Sequence, residues 1–85
     1  MISYDLKGAK RNYSELIEAI KLEHKWWHYL ESFWLVESSK SVEYWTNKLS
    51  KFLDEDDYLL VMKISVEDYN GFLPKKAHEW IEKRT

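Results

Sequence analysis

The chain has no cysteine, one proline and two glycines among 85 residues. Without cysteine there is no disulfide framework, no thiolate metal site and no thiol nucleophile. So little Pro and Gly, with no low-complexity stretch and no repeat at solenoid periods, leaves nowhere for a linker, and residues 1–85 are expected to form a single domain. Long apolar runs are missing too. The longest, from Tyr58 to Met62, falls far short of the ~20 residues that span a bilayer. The N-terminus lacks the basic start, apolar stretch and small-residue cleavage site of a secretory signal, so a soluble cytoplasmic protein that avoids membranes is expected. Nor is there an excess of positive charge. Thirteen basic residues stand against 15 acidic ones, a net charge of −2, which disfavours broad charge-driven binding to duplex nucleic acid. A nucleic-acid partner should therefore be a nucleotide or a short single strand.

Aromatic residues are abundant. Five Trp, six Tyr and three Phe make up 16% of the chain. A chain of this length hides only ~60–65% of the surface it exposes when unfolded, so these rings compete for a small interior.

The residue pattern alternates between strand and helix periods. Ile2, Tyr4 and Leu6 alternate with Ser3 and Asp5, a strand signature. After a basic turn, Asn12 with Glu15 three residues on resembles a capping box, and Leu16, Ile17 and Ile20 continue one stripe of a helix over residues 13–23. Residues 25–37 are rich in aromatic and β-favouring types but too long for one strand, so two strands broken near Glu31-Ser32 are expected. Ser41 can cap a second helix whose stripe is Val42, Trp45, Leu49 and Phe52. Residues 58–66 read as a fourth strand, and Pro74 suits the first turn of a short third helix carrying Ala77, Trp80 and Ile81. The order β-α-β-β-α-β predicts an α+β, ferredoxin-like antiparallel sheet with two helices on one face, followed by a short C-terminal helix.

In such a fold the sheet face away from the helices should alternate with polar residues. It does not do so here. Trp26, His28 and Leu30 oppose Trp27 and Tyr29; Phe33 and Leu35 oppose Trp34 and Val36; Leu60, Met62 and Ile64 oppose Leu59 and Val61. Burying one such side chain contributes on the order of 1.5–3 kcal/mol, so something should cover the second face. The covers available are a second copy of the chain, the C-terminal tail, or a ligand stacked on aromatic faces. A homodimer that also uses the tail is expected.

Candidate chemistry is sparse. Asp5, on the opposite face from Ile2, Tyr4 and Leu6, would meet its counterpart if that face were a dimer seam, and paired carboxylates can hold Mg²⁺ for phosphodiester cleavage. Otherwise it simply ends the strand and accepts hydrogen bonds from the turn that follows. Lys7, Lys10 and Arg11 are the basic concentration that could hold a phosphate, and Trp26, Trp27, His28, Tyr29 and Trp34 are the candidate stacking and binding residues. The sequence shows no Ser-His-Asp pattern or metal-spaced His cluster around His24, His28 or His78, and a His within a strand is more often a packing residue. Asp54-Glu55-Asp56-Asp57 fails as a calcium loop, because its sixth and twelfth positions are Leu59 and Ser65 rather than Gly and Glu. An RNA-recognition module is disfavoured: Glu31-Ser32-Phe33-Trp34-Leu35-Val36 lacks the glycine and basic residue of that motif.

Four segments carry a resemblance: Ile2-Ser3-Tyr4-Asp5-Leu6; Asn12-Tyr13-Ser14-Glu15-Leu16-Ile17-Glu18-Ala19-Ile20; Trp26-Trp27-His28-Tyr29-Leu30-Glu31-Ser32-Phe33-Trp34-Leu35-Val36; and Gly71-Phe72-Leu73-Pro74-Lys75-Lys76-Ala77. Together they look like small bacterial and phage proteins often labelled SinR-family, with Trp-Trp-His-Tyr-Leu the most specific part. More distantly, that group is similar to the small dimeric subunit of the CRISPR integration complex and to the virulence-associated protein D toxins. These relatives are ferredoxin-like dimers associated with nucleic acid, some of them metal-dependent nucleases. Tyr4-Asp5-Leu6 matches their first-strand motif, so the resemblance implies a metal and catalytic role for Asp5. The chain departs from them in its acidity and its many Trp residues. Three functions are thus in view: a small dimeric nucleotide- or nucleic-acid-binding protein, a protein-interaction module such as a toxin-antitoxin or anti-defence component, and a Mg²⁺-dependent nuclease.

Overall fold

A computed structural model describes residues 1–7, 13–23 and 25–85 of the chain. It is α+β. Strands β1 (Ile2–Asp5), β2 (Trp26–Leu30), β3 (Phe33–Val36) and β4 (Tyr58–Val61) alternate with helices α1 (Ser14–Lys21), α2 (Val42–Ser50) and α3 (Lys75–Glu82). The strands form one antiparallel sheet in the order β2-β3-β1-β4.

Local chemistry explains most element boundaries. Ser41 caps α2 by accepting a hydrogen bond from the Tyr44 amide at 3.0 Å. Tyr13 occupies the N-cap position of α1; the Asn12 cap lies outside the described residues. Pro74 occupies the N-cap of α3. Residues 25–37 divide at Glu31-Ser32, a tight turn that makes β2 and β3 a hairpin. The fourth strand is shorter than residues 58–66. Its ladder partner is β1, whose first residue, Ile2, sits opposite Val61; the Met62 amide then donates to the Met1 carbonyl, and among the described residues no strand pairs with the chain beyond it.

The helices divide between the two faces of the sheet. Helices α1 and α2 cover one, where Leu16, Ala19, Ile20, Trp45 and Leu49 meet Ile2 and Trp34 in the main core. Tyr4, Trp26, Val36, Leu59 and Val61 extend this core along the strands. Helix α3 covers part of the other face and forms a second cluster in which Ala77 and Ile81 pack on Trp27 and Leu35. The tail is therefore one of the covers that the surplus of apolar strand residues requires, and it makes a third layer.

A β-bulge adjusts β2. Trp27 pairs with Leu35 but Leu30 pairs with Phe33, so one extra β2 residue is accommodated between the two pairs. Simple alternation puts Leu30 with Trp26 and His28. The bulge shifts it to the Phe33 side, because directly paired residues share a face. It also lets His28 lie flat on Trp34, with centroids 3.7 Å apart and 10° between planes.

Trp27 anchors the tail. Its ring is buried and its Nε1–H donates to the Ala77 carbonyl of α3 at 3.0 Å. Trp27→Phe removes that donor and leaves a gap, and should cost about 1–2 kcal/mol. The loss should concentrate in α3, read as faster proteolytic cleavage after residue 66 at unchanged sheet content. Cleavage at the parental rate would refute this anchoring role.

Candidate functional site

Helix α3 covers only the β2–β3 part of the second face. On the β1–β4 part, Tyr58 is 65% exposed, Leu60 51% and Met62 47%. Period two explains why they stand together: Leu59 and Val61 point into the main core, so Tyr58, Leu60 and Met62 point away from it. Cross-strand register adds the neighbours, with Ser3 opposite both Leu60 and Phe33, and Asp5 opposite Tyr58. The result is a shallow hollow of about 220 Å³ bordered by Ser3, Asp5, Tyr58 and Leu60.

Charge enters at one end of this surface. The Asp5 carboxylate is exposed and lies 3.5 Å from the Lys7 ammonium, which in turn sits 5.4 Å from the centroid of the Tyr58 ring. The Lys7 backbone is fixed from the other side, its amide donating to Asp57 Oδ1 at 2.8 Å. Asp5 thus ends its strand as an ion-paired carboxylate. Among the described residues no group of three or more His, Asp or Glu side chains is placed to hold a metal ion. A Mg²⁺ site at Asp5 would need ligands from another molecule, such as the Asp5 of a second copy, with water completing the shell.

The other sequence-predicted residues scatter. Trp34 is fully buried and its Nε1–H donates to the Tyr4 hydroxyl at 2.9 Å. Trp27 faces α3. Trp26 is half-buried, 5.5 Å from Trp34 by centroid, with the Lys21 ammonium 5.1 Å from its ring centroid. His28 uses both its face and its edge internally, stacking on Trp34 and donating from Nε2 to the Glu31 carbonyl at 2.9 Å. Tyr29 is exposed but leans on Trp27, with centroids 5.3 Å apart. These rings largely pack on one another and form no common stacking platform. Lys10, Arg11 and His24 lie outside the described residues. His78 pairs with the Tyr69 hydroxyl at 2.9 Å.

Sequence reasoning set Leu60 and Met62 on an apolar face in need of a cover but named neither them nor Tyr58 as site residues, although the signal was present: a strand apolar in both phases. Among the described residues no helix is long and apolar enough to cross a membrane. The chain matches no protein-family model, no curated protein and no solved structure.

Proposed function

We propose that this protein is a small interaction module with a ferredoxin-like fold that pairs with a second copy of itself through the uncovered β1–β4 part of its sheet. The observation that carries the reading is the exposed stripe of Tyr58, Leu60 and Met62 beside a half already covered by the chain's own tail. Contiguous apolar area of this kind on a small soluble chain marks a contact surface. A two-fold axis through the stripe would set each Leu60 against the partner's stripe and bring the two Asp5–Lys7 pairs to the rim, where each carboxylate can meet the other copy's ammonium. The resemblance to the SinR-labelled proteins and the CRISPR small subunit agrees with a dimer of this fold.

Sedimentation velocity at micromolar concentration tests it. The parent should sediment as a dimer and Leu60→Lys as a folded monomer, because a charge at the seam must be desolvated without a partner. A monomeric parent, or an unchanged Leu60→Lys dimer, would refute the pairing.

A second function is favoured by one feature, the Lys7 cation beside the exposed Tyr58 ring. An exposed ring with an adjacent cation suits a base and its phosphate, so we propose that the protein binds a nucleotide or a short single strand at Lys7 and Tyr58. Polarisation of a labelled oligonucleotide should show binding that Lys7→Ala and Tyr58→Ala each weaken several-fold and that falls with added salt. Unchanged affinity in both variants would remove Lys7 and Tyr58 from that role. Cleavage of the same oligonucleotide with added Mg²⁺, lost in Asp5→Asn, would be the mark of the nuclease; equal cleavage by the two proteins would discard Asp5.

A further inference from the structure

A second cavity, larger than the hollow beside Tyr58, adjoins the uncovered sheet surface at Met62. It is a groove of about 740 Å³ at the end of the sheet where β1 begins and β3 and β4 finish, walled by the first turn of α2 and by the last turn of α3. That volume is within the 300–1,000 Å³ typical of small-molecule sites. Its floor and sides are apolar, from Leu35, Val42, Val61, Met62, Ile64 and Val66.

The polar groups converge on one end. Arg84 lies flat over Trp80, its guanidinium carbon 3.5 Å from the ring centroid. One terminal nitrogen donates to the Trp80 carbonyl at 2.9 Å and the other to Glu37 Oε2 at 3.3 Å. The remaining guanidinium nitrogen, Nε, is buried and has no acceptor among the described residues. A buried guanidinium N–H without an acceptor is costly, and such groups in native proteins call for a partner. The Met1 amine, also at the groove, cannot be that partner: it is a donor itself, bonded to the Met62 carbonyl at 2.8 Å.

The charges along the groove favour a negative occupant. Lys40, Lys63 and Arg84 line it against Glu37 and Glu43. Glu37 is already shared between Arg84 and Lys25, at 3.3 and 3.6 Å. The carboxylate nearest the guanidinium is therefore committed, while Nε remains available to a new acceptor.

We propose that this groove binds a small amphipathic monocarboxylate, its apolar body along Met62, Ile64 and Val66 and its carboxylate accepting from Arg84. A modest rotation of the Arg84 side chain, which is 23% exposed, would turn Nε and one terminal nitrogen toward the ligand as a two-point fork, at the expense of the Glu37 bond. The groove adjoins the proposed dimer contact at Met62, which belongs to both, whereas Tyr58 and Leu60 do not line it.

The probes are octanoate, octylamine and acetate, titrated into the isotope-labelled full chain and followed by the indole N–H signals of Trp80 and Trp45, both of which line the groove. Octanoate should shift these signals saturably, with octylamine and acetate much weaker. Arg84→Gln should weaken octanoate by ~10-fold or more, the scale of one charge-assisted hydrogen bond. Glu37→Gln, which frees the guanidinium from its rival acceptor, should bind at least as tightly as the parent. Because Arg84 also ties down the tail, Ser39→Trp provides a second arm: it fills the groove from an exposed loop position and should abolish the octanoate shifts in a folded protein. Absence of saturable shifts, equal binding of octylamine, weaker binding by Glu37→Gln, or shifts that persist in Ser39→Trp would each overturn the proposal. Shifts confined to the β1–β4 surface would do the same.

Discussion

Trp34→Ala should cost the protein a large part of its stability. Trp34 is 0% exposed, in the middle strand pair and directly beneath α1 and α2. Three aromatic partners depend on it: His28 stacks on one face, Trp26 tilts against it, and Tyr4 receives its indole N–H. Truncation to alanine forfeits the transfer energy of a large ring and leaves a cavity, together about 3–5 kcal/mol. A domain of this length has roughly 4–13 kcal/mol in total, so the loss is a large fraction of what holds it together. At about 4–8 °C per kcal/mol the melting midpoint should fall by roughly 12–40 °C. Trp34→Phe should fall between parent and alanine, since the stack persists while Tyr4 loses its donor. Thermal unfolding followed by far-UV circular dichroism reads all three proteins. If Trp34 instead belonged to a ligand platform, the alanine variant would melt like the parent and lose only binding.

The contrast between Trp34 and Tyr58 shows what one chain's residue order can and cannot convey. Leu30 apart, alternation separates the strand residues into two apolar sets, and the Glu31-Ser32 break and the Ser41 cap follow from local chemistry alone. What alternation cannot say is which set is covered, because covering depends on where distant segments return. Helix α3 returns over Trp27 and Leu35 and buries them, while Tyr58, Leu60 and Met62 on the neighbouring strand edge stay exposed. Leu30 failed for a different reason. A single inserted residue reverses the phase of everything after it, and the insertion is visible only in the pairing with β3.

The same limit applies to charge. The acidic run Asp54-Glu55-Asp56-Asp57 reads from sequence as one solvated turn, yet its last residue is half-buried and differs in kind from Glu55 and Asp56, which are exposed. Long-range partners distinguish them. Asp57 Oδ1 accepts from the Lys7 amide at 2.8 Å, and Oδ2 accepts from the Tyr13 hydroxyl and the Asp54 amide, each at 2.7 Å. Lys7 closely follows β1 and Tyr13 precedes α1, so one carboxylate fastens both ends of that connection to the turn that launches β4.

Asp57→Ala should therefore destabilise the protein far more than its acidic neighbours do. Hydrogen bonds to a charged acceptor contribute about 1.5–3 kcal/mol, and among the described residues the Lys7 amide, the Tyr13 hydroxyl and the Asp54 amide lose theirs at once, although water can replace some of them at a half-buried site. A net loss of about 2–3 kcal/mol is expected, roughly 10–20 °C in melting midpoint. Glu55→Ala and Asp56→Ala should stay within about 0.5 kcal/mol, as surface substitutions do. Tyr13→Phe removes a single donor and should cost about 1 kcal/mol. The double variant Asp57→Ala/Tyr13→Phe should then be less destabilised than the two single losses combined, because the second change removes a donor the first has already orphaned. Strict additivity would mean that Tyr13 and Asp57 act independently, and an Asp57→Ala protein as stable as Glu55→Ala would mean that the clamp contributes nothing. The clamp also reaches the contact surface, since it positions the backbone of Lys7, whose ammonium bridges Asp5 and Tyr58. At temperatures where Asp57→Ala remains folded, its proposed dimer should therefore dissociate at higher concentration than the parent's, whereas Glu55→Ala should match the parent.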